Sequence, residues 1–250
     1  MSGIRSTGSP GKHTDLEASC PHAYTSSRTR KAASGKTTLA MNLAAITYDV
    51  LAGPDHLRAT KEDQGDSPVM VASIDPQASS VWWSKRVESQ GGLPFDFTQI
   101  TDARDLKKLR KLGKAHIFVD TPGSLEDEAL LQAALDEGDD VLVPMLPEPL
   151  CYDPTSRTIE IVIKPRGLPF RVVVNGWDPR DGVPDLQQTA QYIARKRWPM
   201  CNTVVRRYKI HTRAAAEGVV VTQYQKNRVA MEAREDFLRL ALELGYGGAG

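Results

Sequence analysis

From Gly35 onward the chain alternates between two apolar patterns, one recurring at helical spacing and one packed into short unbroken runs. After GKTT, the positions Leu39, Leu43, Ile46, Thr47 and Val50 recur at helical spacing and predict an amphipathic helix ending near Gly53-Pro54. The polar stretch HLRATKEDQGDS reads as a surface loop. Four Val/Ile-rich runs follow: PVMVASID (68–75), HIFVD (116–120), DVLVPM (140–145) and FRVVVN (170–175). They are short and do not alternate, as strands buried on both faces of a parallel sheet should be. Helical patterns lie around 78–90, 103–112, 125–138, 153–163 and 184–198. A last helix, about 227–244, predicts a buried stripe of Val229, Ala233, Phe237, Leu240 and Leu244. Strand-helix alternation of this kind implies an α/β fold, a doubly wound, mostly parallel sheet flanked by helices, with ligands at the carboxyl ends of the strands.

Residues 1 to about 30 break this pattern: they are rich in Ser, Thr, Gly, His and Arg and hold no run of four apolar residues. They predict a mobile or atypical tail, leaving one domain over 31–246. The 250 residues fit one such domain, and 25% charged with 6% aromatic residues is ordinary globular composition. With 32 Lys+Arg against 31 Asp+Glu the net charge is +1, which excludes a uniformly basic nucleic-acid coat but not a local patch. Cys20, Cys151 and Cys201 are far apart with no C-x-x-C spacing, so neither a disulfide framework nor a zinc site is expected. No run of 18 apolar residues and no apolar leader occurs, so the expected location is the cytoplasm.

The strongest chemical signal is Lys31-Ala32-Ala33-Ser34-Gly35-Lys36-Thr37-Thr38, opening the first helix. A glycine turn running into a helix N-terminus aims backbone N–H groups at phosphate; Lys36 can reach the β/γ oxygens and Thr37 can ligate Mg²⁺. Asp75 and Asp120 each end a buried strand, where this architecture presents catalytic groups, and an acid after four apolar residues suits a carboxylate in the second shell of Mg²⁺. Each acid alone could instead cap a helix, with Gln77 and Ser79 following one and Ser124 the other.

These residues resemble the ParA family of deviant P-loop partition ATPases, over about residues 31 to 245. The family's signature lysine in KGGxGKTT falls on Lys31, its Walker lysine on Lys36 and its Mg²⁺ threonine on Thr37. Its DPQ segment matches Asp75-Pro76-Gln77, and the SSVWWSK that follows resembles the short subgroup lacking a helix-turn-helix domain. VDTPGSL resembles its Walker B region, with Asp120 as the metal-linked carboxylate; MLPEPLCYDP resembles its proline-bearing stretch, and Asn175 with Arg180 falls at its adenine-contacting strand end. The resemblance implies ATP and Mg²⁺ as cofactors and an ATP-dependent homodimer in which Lys31 acts across the interface while Asp75 helps position the attacking water. It implies nonspecific DNA binding at the nucleoid, a centromere-binding adaptor that stimulates hydrolysis, and partition of DNA. Two other readings stay open: a catalytically impaired DNA-binding or regulatory relative, and an ATPase of this type that positions a protein cargo.

Two departures bear on activity. The family's paired glycines are Ala32 and Ala33 here, and a site needing φ > 0 makes alanine cost about 1–2 kcal/mol. Upstream of Lys31 the chain reads CPHAYTSSRTR, with no Val/Ile/Leu-rich run for the strand that precedes the phosphate loop in this fold. The resemblance breaks off there as a shifted reading frame or a replaced N-terminus would make it, which translating the other frames of the coding DNA would test.

From Arg195 to Arg213 seven Lys/Arg occur with no acid. Arg206, Arg207, Lys209 and Arg213 are the candidates for sequence-independent DNA phosphate contacts; a solvated helix face is the plainer reading. Trp82, Trp83, Trp198 and Tyr208 read as core rather than base-stacking platforms. The last helix carries Glu232, Glu235, Asp236 and Glu243 against Arg228, Arg234 and Arg239, so it lacks the cationic bias of a membrane-surface helix. TPGSLEDE holds no cysteine of the kind that an iron-sulfur reductase of the superfamily would need.

Overall fold

The computed structural model describes residues 21–24, 35–53, 66–77, 79–88, 91–122, 128–224 and 227–246. Among these residues seven strands form one parallel sheet in the order β3-β2-β4-β1-β5-β6-β7. They are β1 (Pro21–Tyr24), β2 (Val69–Ser73), β3 (Asp96–Gln99), β4 (His116–Asp120), β5 (Asp140–Met145), β6 (Phe170–Trp177) and β7 (Val205–Arg206). Among the described residues eight α-helices accompany them: α1 (Lys36–Ala52), α2 (Ser79–Glu88), α3 (Ala103–Leu109), α4 (Glu128–Glu137), α5 (Tyr152–Arg157), α6 (Pro184–Arg195), α7 (Lys209–Glu217) and α8 (Arg228–Leu244). Sheet and flanking helices match the expected fold class. All four apolar runs are strands, and β4 and β5 keep the predicted limits.

The strand missing from the pattern is present. Pro21–Tyr24 lies at the sheet's centre, pairing Pro21 with Ile117 and Tyr24 with Asp120 on one side and His22 with Asp140 on the other. The expectation of a tail through residue 30 is therefore corrected for these four residues. They escape a composition-based reading because PHAY has no β-branched residue; Pro21 takes the first position, where a strand tolerates proline. Strands β3 and β7 and helix α7 also lacked a sequence signal, β3 being a four-residue edge strand and β7 only two residues long.

Helix α1 departs from the amphipathic expectation. Residues Leu39 to Tyr48 are all buried, because the helix is covered by the sheet on one side and by α8 on the other. A helix apolar all round is what a wholly interior position selects. In α8 the buried residues include Ala230, Ala233, Asp236, Phe237 and Leu240, whereas Val229 is exposed, so the stripe is turned by one residue at its start. The 153–163 helix is divided, α5 passing into a π-helical turn at Thr158–Ile163. Among the described residues no helix is long and apolar enough to cross a membrane.

Candidate nucleotide site

The carboxyl ends of β2, β4 and β6 and the N-terminus of α1 converge on one region. Gly35 caps α1 in the left-handed conformation, φ 74°, and its carbonyl accepts the Leu39 N–H at 2.8 Å. A Cβ at Gly35 would collide with Nδ2 of Asn175, so glycine is required by both dihedral and space. Thr37 donates its hydroxyl proton to Asp120 Oδ2 at 3.0 Å. Lys36 is buried, and desolvation pulls its ammonium pKa down while Asp120 and Asp75 pull it back up. Lys31, Ala32, Ala33 and Ser34 lie outside the described residues.

Asp120 is wholly buried at the end of β4. Burial pushes its pKa up to about 6, against the opposing pull of the Ser80 and Thr37 hydroxyls and the Lys36 charge. Its Oδ1 has no hydrogen-bond partner among the described residues. A buried carboxylate oxygen left open beside a threonine hydroxyl suits a hydrated divalent cation, since Mg²⁺ keeps several waters and takes few protein ligands. The residues present therefore fit Mg²⁺, which Thr37 and Asp120 would hold. Asp75 is also buried, one residue beyond Ile74, and its Oδ1 accepts the Gln77 N–H at 3.0 Å, capping its own turn. It lines a groove of about 460 Å³ with Ile74, Gln99, Ile100 and Leu130.

A larger groove of about 1070 Å³ joins the predicted phosphate and base ends: Gly35 and Thr38 stand on it with Asn175, Arg180, Arg207 and Lys209. Arg180 is tied to Asp178, its Nε donating at 2.9 Å, and this pairing holds the Asp178 carboxyl down to about 2. The basic stretch is not one cluster. Arg206 donates from Nε at 3.0 Å and from Nη2 at 2.7 Å to Asp236, and its backbone N–H adds a bond at 3.0 Å. Its guanidinium ties β7 to α8 while standing on the same groove as Arg207 and Lys209, and Asp236 leaves the polar face predicted for α8. Arg207 and Lys209 are exposed on the groove, while exposed Arg213 lines a separate recess with Lys209 and Tyr224. Trp83 and Trp198 are core; Trp82 is half-exposed under Arg86, and the Tyr208 hydroxyl donates to Glu232 at 3.1 Å.

Sequence reasoning did not find Ser73 and Ser80, both fully buried, whose hydroxyls meet at 2.7 Å where β2 runs beside Asp120. Serine is too common to signal this. Asp178 on the groove wall did carry a signal, the Asp-Pro step that starts a turn.

No protein-family model matches the chain. Two relatives bear the description maintenance of carboxysome distribution protein A. That of Gloeobacter kilaueensis is 34% identical over 211 residues, covering 84% of this chain and 88% of the relative. That of Halothiobacillus neapolitanus is 30% identical over 202 residues, covering 77% and 83%. Among solved structures, the MinD cell division protein of Aquifex aeolicus superposes with TM-score 0.67 at 15% identity, over 93% of this chain and 99% of that one. The ATP complex of Cyanothece McdA gives 0.65 at 11% identity, over 94% and 99%. On the strength of the first relative's identity and coverage, the chain belongs to the family of the maintenance of carboxysome distribution protein A, and it shares its fold with the MinD cell division protein.

Proposed function

We propose that this protein is an ATPase that positions a protein cargo, a proteinaceous compartment of the carboxysome kind, rather than one that partitions DNA. The observation that carries the cargo is the 34% identity across 88% of a carboxysome distribution protein. The nucleotide part draws its support from the Gly35 turn, Lys36, Thr37 and Asp120 meeting at one sheet end. Lys36 and the first backbone N–H groups of α1 bind the phosphates, Thr37 and Asp120 hold Mg²⁺, and Asp75 orients the attacking water. Mg²⁺ supplies neutralisation of charge on the transferring phosphoryl group. Asn175 and Arg180 bound the base end of the groove, and Lys31 reaches the phosphates of a second copy in an ATP-dependent homodimer. Arg207, Lys209 and Arg213 give the dimer a DNA track, and a cargo-bound adaptor stimulates hydrolysis and release in the cytoplasm.

ATP turnover by the purified chain, measured with and without DNA and beside Lys36→Ala, tests the enzymatic part. Wild-type turnover lost in the variant supports it. No turnover in either, restored by glycines at 32 and 33, returns the protein to the catalytically impaired reading. Imaging a labelled compartment in cells lacking this gene tests the cargo: clustering supports the proposal, and unchanged spacing with unstable plasmid inheritance favours DNA partition instead.

A further inference from the structure

Helix α7 touches two parts of the molecule that the chain order keeps far apart. Its first residue, Lys209, stands on the rim of the large groove with Gly35, Thr38 and Asn175. Its far end runs into Gly218–Val221, and that short segment is gripped from two sides. The Val221 N–H donates to Asn42 Oδ1 at 2.8 Å, and Asn42 Nδ2 donates in turn to the carbonyl of Thr38, in the first turn of α1, at 2.8 Å. From α2, Trp83 Nε1 donates to the Val219 carbonyl at 3.0 Å. Gly218 allows this closeness: at φ +72° a Cβ would stand 2.5 Å from the Arg86 carbonyl oxygen.

The gripping groups are interior ones, Asn42 1% and Trp83 2% exposed, with Val220 wholly buried between them. The Val221–Asn42 bond is buried and the other two are part-buried, so water replaces them poorly. The two helices that supply it begin at the two phosphate-chemistry segments: α1 opens at Gly35-Lys36, and α2 follows the Asp75-Pro76-Gln77 turn.

We infer that Gly218–Val221 is the anchor through which nucleotide contacts at α1 and the Asp75 turn set the stance of the cationic end of α7, making Asn42 and Trp83 positioning residues for a nucleoside polyphosphate. The inference rests on the nucleotide reading of the groove. A nine-residue helix is about 13 Å long and rigid, so a shift delivered at its anchored end reappears at Lys209. Neither Asn42 nor Trp83 lines the groove.

Hydrogen exchange of the full chain with and without AMPPNP, alongside direct AMPPNP titration, provides the test. Binding slows exchange at Val219 and Val221 by about fivefold or more, the low end of ordinary inter-site coupling. Trp83→Phe keeps an aromatic ring in the core, though a smaller one, and removes the donor. In this variant, at a temperature where circular dichroism shows it folded, the slowing falls below about twofold and the AMPPNP dissociation constant rises about threefold. A wild-type chain that fails to bind AMPPNP, matching Lys36→Ala, sinks the nucleotide reading itself. A wild-type chain that binds AMPPNP yet leaves exchange at 218–221 unchanged, or a Trp83→Phe chain that responds as wild type does, overturns this inference alone.

Discussion

The Thr37 hydroxyl donates to Asp120 Oδ2 across 3.0 Å, joining the first turn of α1 to the end of β4 over 83 residues of chain. The same carboxylate keeps Oδ1 buried and, among the described residues, without a partner. A folded protein tolerates such a group where function needs it, since an unsatisfied buried polar atom costs about 1–3 kcal/mol. Replacing Asp120 by Asn removes the buried charge and keeps an oxygen for Thr37. Thermal melts without metal should show Asp120→Asn at least as stable as wild type, while Mg²⁺-dependent ATP turnover falls by two orders of magnitude or more, about 3 kcal/mol in the barrier.

Gly35 and Asn175 form the second sensitive contact. Gly35→Ala meets both a left-handed dihedral, about 1–2 kcal/mol, and the Asn175 side chain. A double-mutant cycle with Asn175→Ala separates the two. Part of the stability lost in Gly35→Ala should return in the double variant, leaving the dihedral cost alone; strictly additive losses would show that the collision does not matter.

The cations between Arg206 and Arg213 should divide by role. Arg206→Ala strands the buried Asp236 carboxylate and should cost about 2 kcal/mol of stability, below the figure for a wholly buried pair because the arginine is partly exposed. Replacing Arg207 and Lys209 together should move the melting temperature little. Their loss should lower the salt slope of DNA binding by up to about 2. An unchanged slope returns both residues to a solvated face.

Strand β1 gives a prediction opposite to that for a dispensable tail. Removing residues 1–24 takes out the strand that β4 and β5 share, so the truncated chain should not fold as judged by circular dichroism.

The strands of β2, β4, β5 and β6 were legible because a parallel strand buried on both faces must be a continuous apolar run, and HIFVD and DVLVPM are such runs. The Gly35 turn into α1 was legible for a similar local reason: Gly35, Lys36 and Thr37 are neighbours in the chain. Asp75 and Asp120 were legible through their place after those runs, although nothing local showed that Asp75 would also cap its own turn. The pairing of Arg206 was not legible because a run of cations looks alike whether solvated or paired, and its partner Asp236 is 30 residues away on α8.

By itself the sequence determined the parallel α/β class, the glycine turn with Lys36 and Thr37, and the two strand-end acids, all features written within a few adjacent residues. Only the tertiary structure decided that PHAY is the central strand, that α1 is interior on every side, that Arg206 belongs to Asp236, and that Asn42 and Trp83 grip the end of α7. Those outcomes depend on what each segment packs against, and burial and hydrogen-bond pairing across the sheet override the propensity of a four-residue strand or the charge of a single side chain.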